Sequence, residues 1–92
     1  MDKLNELNRK RIFGHQKLMS LDSKVYKAFL EMEKVTFADG ALSKKTKELM
    51  ALSLSIVTKC EPCMEWHLDQ ALQSGATDEE VYETIDVAIE MG

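Results

Sequence analysis

The sequence predicts an all-α fold of four to six helices, and three observations carry the prediction. Apolar residues recur at three-to-four spacing, as in Val25, Tyr26, Phe29, Leu30, Met32 and Val35. Proline occurs once and glycine four times in 92 residues, while charged residues make up 30%, a balance that suits helices better than sheets or disorder. Residues that cap helices, Ser43 and Thr77, stand immediately before periodic stretches. An apolar content of 45% is enough for one core, so residues 1–92 read as a single domain, with residues 1–20 a weakly packed helical extension. A domain of this size buries a modest share of its surface, and self-association is then a source of added stability.

The elements follow in order. From Leu4 to about Met19 the apolar residues Leu4, Leu7, Ile12 and Leu18 are sparse and Gly14 interrupts them, which predicts a weakly held helix, in one piece or two. Asp22 or Ser23 caps a second helix with a core face, ending near Phe37 before the turn signal Ala38-Asp39-Gly40. Ser43 caps a third helix from Lys44 to about Thr58, whose residues Leu49, Met50, Leu52, Leu54, Ile56 and Val57 surround the axis. A helix apolar on nearly every side belongs at the middle of a domain or in a subunit interface. A fourth helix begins at Pro62, with Glu61 as its cap, and ends at Gly75. Thr77 and Glu80 have capping-box spacing for the last helix, with Val81, Ile85, Ala88 and Ile89 on one face. Met32, Met50 and Met64 read as core filler, and Trp66 as packing.

The segment Cys60-Glu61-Pro62-Cys63-Met64-Glu65-Trp66-His67 concentrates the chemistry. Cys63 falls in the first helical turn, where amide donors and the positive end of the helix dipole stabilise a thiolate. His67 stands one turn further along the same face and can exchange a proton with it. Glu61 and Glu65 oppose the thiolate and Lys59 favours it, so charge alone does not fix its acidity; position favours Cys63 over Cys60 as the nucleophile. Glu48, with Ala51, Leu52 and Ser55 as helical neighbours, lies on a face that reads as partly enclosed.

A net charge of −4 argues against nucleic acid as a main partner, and Arg9-Lys10-Arg11 reads as a solvated helix face. No apolar run approaches the ~20 residues that cross a bilayer, and Met1-Asp2-Lys3 is no secretory start, so the chain reads as cytoplasmic without membrane contact. There, a Cys-x-x-Cys pair points to redox or metal chemistry rather than a structural staple.

Glu48, then Cys60-x-x-Cys63, then His67 on two consecutive helices resembles the alkylhydroperoxidase D-like branch of the carboxymuconolactone decarboxylase superfamily. The similarity runs from about Leu21 to Gly92 and includes the turn Gly75-Ala76-Thr77-Asp78-Glu79-Glu80-Val81. The resemblance implies an all-helical fold assembling into trimers or hexamers, with thiol peroxidase or disulfide reductase activity and no cofactor or metal. It implies Cys63 as the peroxide-reacting thiol, Cys60 as the resolving thiol, and Glu48 with His67 as the proton relay. Some members carry a histidine immediately before the second cysteine, where this chain has Pro62.

The substrate class is then a peroxide or a disulfide, and turnover needs an external dithiol. A zinc module would use Cys60, Cys63 and His67 with Glu48 or His15, but the second close ligand pair typical of structural zinc is missing. A thioredoxin-like enzyme needs a strand before the motif and a later proline, and Pro62 is the only one. Decarboxylation of a lactone has no use for the cysteine pair. A non-enzymatic redox-sensing or interaction protein is the remaining alternative.

Overall fold

In the computed structural model, which describes residues 2–92, five α-helices follow one another: α1 Asp2–Ser20, α2 Lys24–Thr36, α3 Lys44–Val57, α4 Glu61–Gln73 and α5 Asp78–Met91. No strand occurs among the described residues. The chain forms two compact units, Met1–Ala38 and Asp39–Gly92.

In the first unit, α1 runs unbroken through Gly14 rather than in two pieces. One glycine costs a helix about 1 kcal/mol relative to alanine, less than abandoning the ladder on either side would cost. Leu4, Leu7, Asn8, Arg11 and Gly14 form its half-buried stripe, and no residue of α1 is fully buried. Asp22 in the left-handed conformation (φ 54°) turns the chain, and Ser23 caps α2 by accepting from the Tyr26 amide at 3.1 Å. The Tyr26 hydroxyl lies 2.6 Å from His15 Nδ1 and joins the two helices. The expected core face of α2 is only half realised. Tyr26, Leu30, Glu33 and Phe37 form the half-buried line, whereas Val25 is 81% exposed and Phe29, Met32 and Val35 are also exposed. Apolar spacing selects a stripe on a helix, but the neighbouring element decides which side of the stripe is covered.

The second unit packs α3 against both α4 and α5. Ser43 caps α3 by accepting from the Thr46 amide, while Asp39 Oδ1 accepts from the Lys44 amide at 2.7 Å. The buried line of α3 is Glu48, Leu52 and Ser55, two turns on one face. Buried with it are Ala71 on α4 and Val81 and Ala88 on α5. Alanine at two of these points permits close approach of the helices. Met50, Leu54 and Val57 on the far side of α3 are exposed, as are Tyr82, Val87 and Met91 on α5. The central helix is therefore enclosed on one side only. Two expectations are corrected. Met50, like Met32, is no core filler, and Ile89 is 69% exposed because α5 buries Val81 and Ala88 instead.

Both helix-to-helix turns of this unit use the same device. After α3, Lys59 takes the left-handed conformation (φ 58°), its amide bonds to Ile56 O, and the Cys60 amide bonds back to Ser55 O at 2.9 Å. After α4, Gly75 (φ 95°) bonds to Leu72 O and the Ala76 amide to Ala71 O. This is the Schellman pattern, which satisfies carbonyls that a helix end leaves unpaired. Gly75 adopts the geometry without steric cost; Lys59 does so against the ~1–2 kcal/mol that a side chain costs in that region.

Thr77 and Glu80 form the expected capping box at the start of α5, and Lys45 Nζ reaches Glu80 Oε2 at 2.9 Å, tying α3 to α5. The Thr77 amide, then the Lys45 ammonium, hold the Glu80 carboxyl below its ordinary value. The unfolded chain therefore binds more protons on Glu80 in acid, and this contribution to stability is present at neutral pH and lost as pH falls through the lowered value. Comparing urea denaturation of the wild type and Glu80→Gln checks it. The wild type should hold its advantage at pH 7 and lose it well below about pH 4; an advantage that does not change with pH would contradict the assignment.

Candidate functional site

The turn that closes α3 also positions the cysteines. With Lys59 left-handed and Cys60 extended (φ −97°, ψ 95°), the chain re-enters helical geometry at Glu61. Cys60, rather than Glu61, is thus the N-cap, and Pro62 is the second helical residue rather than the first. The lost amide of Pro62 costs nothing, because the first-turn amides have no partner within the helix. Cys63 remains in the first turn, as the sequence indicated. The two sulfurs are joined in a disulfide with the Cα atoms 5.3 Å apart. No side chain caps this helix by hydrogen bonding at Cys60.

His67 lies one turn beyond Cys63 on the same face of α4. Its Nδ1 is 2.8 Å from Glu48 Oε1 across the α3–α4 interface. Glu48 is 1% exposed and is the largest fully buried side chain of the described residues. Its other oxygen, Oε2, accepts from Lys44 Nζ at 2.6 Å, one turn earlier on α3. One carboxylate is thus shared between an imidazole, with 15% of its side chain exposed, and an ammonium, with 37%. Among the described residues, no buried side-chain nitrogen or oxygen lacks a hydrogen-bond partner. The inner line of α3 holds the cysteine segment twice, through the Glu48 side chain to His67 and through the Ser55 carbonyl to the Cys60 amide.

All four predicted residues therefore belong to the second unit. Glu48 and His67 are in direct contact, and Cys60 and Cys63 are bonded to each other. The contact of Lys44 with Glu48 and the burial of Glu65 were not anticipated from the sequence. Lys44 was readable as an ion-pair partner from its spacing of four before Glu48. Glu65 is buried on α4. Two residues after Cys63, it projects from a different side of the helix, and nothing in the chain's pattern distinguished it from a surface glutamate.

Among the described residues, no group of three or more His, Cys, Asp or Glu side chains is gathered as a metal site. The donors of the zinc reading are engaged elsewhere: the sulfurs with each other, His67 Nδ1 with Glu48, and His15 with Tyr26. No described helix is long and apolar enough to cross a membrane.

The family model for carboxymuconolactone decarboxylases matches residues 23–92, which include every residue of this site. The chain belongs to the carboxymuconolactone decarboxylase family. Its fold superposes on a carboxymuconolactone decarboxylase family protein of Legionella pneumophila with a TM-score of 0.92 and 30% identity, covering 100% of this chain and 82% of that one. A Thermotoga maritima protein matches with a TM-score of 0.81 and 34% identity over 94% of this chain and 75% of its own. In sequence, an uncharacterized protein of the Paracoccus denitrificans cox locus is 52% identical over 64 residues, covering 70% of this chain. The matched region spans only 58% of that relative's length. An uncharacterized Cupriavidus necator protein is 36% identical over 98% of this chain and 76% of its own. The helices of this carboxymuconolactone decarboxylase family member are thus a shared framework, and its chemistry has to be argued from the side chains that framework carries.

Proposed function

We propose that the protein is a thiol peroxidase, cycling its Cys60–Cys63 pair between dithiol and disulfide. The observation that carries the reading is the disulfide at the start of α4, with His67 one turn along and hydrogen-bonded to the buried Glu48. A second crystal structure of the Thermotoga maritima relative, 38% identical over 76% of this chain, names that protein as a candidate participant in an antioxidative response, which supports the same direction.

In the reduced protein, the Cys63 thiolate attacks one oxygen of ROOH. The O–O bond breaks, Cys63 becomes a sulfenic acid, and the leaving alkoxide takes a proton to form ROH. His67 first accepts the Cys63 proton and then passes it to the leaving oxygen, with Glu48 orienting the ring. The Cys60 thiolate next attacks the sulfenic sulfur, forming the disulfide and releasing water. An external dithiol, itself oxidised to a disulfide, returns both thiols. Without a peroxide, the same exchange run on a disulfide substrate gives a reductase. Decarboxylation of a lactone leaves the pair unused.

The protein acts in this reading as a homo-oligomer, a trimer or hexamer. The exposed Met50, Leu54 and Val57 on α3 and Tyr82, Val87, Ile89 and Met91 on α5 support it, because so much apolar surface on a chain of this size is costly to leave in water. Sedimentation at micromolar concentration should find three or six chains together, and a monomer would count against assembly.

Stopped-flow peroxide consumption by the reduced protein, with thiol titration before and after, tests the chemistry. Cys63→Ser should abolish turnover. Cys60→Ser should allow one attack and stall at the sulfenic acid, detectable with a dimedone probe. Equal residual rates in the two variants would contradict the assigned roles.

A further inference from the structure

Glu48 is held on both of its oxygens, and the second contact has a chemical consequence for the first. We infer that Lys44 is a positioning residue of the cysteine site, which sets the tautomer of His67 by keeping Glu48 an acceptor on both oxygens. The inference rests on the proton relay proposed above for its catalytic meaning, but not for its structural content.

A buried carboxylate costs free energy unless a charge or hydrogen bonds compensate it, and protonation is its usual escape. Lys44 Nζ at 2.6 Å from Oε2 supplies the compensating charge and donates a hydrogen bond. Glu48 then has no hydrogen to donate, so at 2.8 Å from Oε1 the donor must be His67 Nδ1. With the proton on Nδ1, a neutral imidazole carries its lone pair on Nε2, at the other side of the ring. That nitrogen is the base a thiol can protonate. If Glu48 were a neutral acid, its hydroxyl could donate to Nδ1 and move the ring proton to Nε2, and the ring could no longer accept a proton there.

Lys44 is also well placed to act through Glu48. It is one turn before Glu48 on α3, and its backbone amide is fixed by Asp39 at 2.7 Å. The neighbouring Lys45 instead reaches Glu80 on α5 and serves the fold. The two adjacent lysines thus divide their duties, one to the site and one to the helix packing.

The test reads the ring nitrogens of His67 directly, by long-range proton–nitrogen correlation at pH 7 on the reduced protein labelled with 15N histidine. His15 serves as the second, reference histidine. The wild type should show the proton on Nδ1. Lys44→Met should place a proton on Nε2, in the neutral ring or as imidazolium, and slow peroxide consumption by about 10²-fold, the scale of a lost general base; Lys44→Arg should restore both. Lys44→Gln, which keeps a donor without the charge, repeats the comparison if the methionine variant does not fold. A proton gained on Nε2 in a protein that consumes no peroxide supports the role of Lys44 and sinks the peroxidase reading alone. No proton on Nε2 in the methionine and glutamine variants, or Nε2–H in the wild type, overturns the inference.

Discussion

The hydrogen bond between Glu48 on α3 and His67 on α4 is the constraint from which the rest of the second unit can be understood. It places a carboxylate with 1% exposure where apolar packing would ordinarily stand, and a carboxylate there must be compensated. Lys44 and His67 supply that compensation from one turn before on the same helix and from the facing helix. The three buried polar or charged residues, Glu48, Ser55 and Glu65, sit beside only four buried apolar ones, Leu52, Ala71, Val81 and Ala88, among the described residues. A core so divided gives up apolar burial to fix the orientation of an imidazole.

The turn from α3 to α4 completes the arrangement. A left-handed Lys59 lets the Cys60 amide return to the Ser55 carbonyl, which ends one helix and starts the next within a few residues. Lys59 holds a left-handed conformation without the freedom of glycine, immediately before the cysteine pair. The effect is that Cys60 caps α4, Cys63 occupies its first turn, and His67 follows on the same face. This fold thus sets the Cys60–Cys63 pair at the turn between α3 and α4 and joins His67 to Glu48 across the two helices, while the opposite faces of α3 and α5 remain apolar and exposed.

Much of this was legible in the chain because it is local. Ser23, Ser43, Thr77 and Gly75 act where helix-end chemistry places them, since each satisfies backbone groups within four residues. The enclosed face of Glu48 was readable from Leu52 and Ser55 at helical spacing; its contact with His67 came from the family resemblance, since no local rule pairs residues nineteen apart. The misreadings are of another kind. Met50, Ile89 and the Val25 stripe are apolar at helical spacing yet exposed, because periodicity marks a face without naming what covers it. The cap at Cys60 was displaced by one residue because nothing about a lysine announces a left-handed turn.

The acidity of Cys63 measures the central claim most directly. Thiolate absorbance in the ultraviolet, followed against pH in the reduced protein, should rise at lower pH in the wild type than in His67→Ala, and Glu48→Gln should fall between them. If all three proteins titrate together, the imidazole and its carboxylate do not manage the proton of this thiol, and the site loses its chemical rationale.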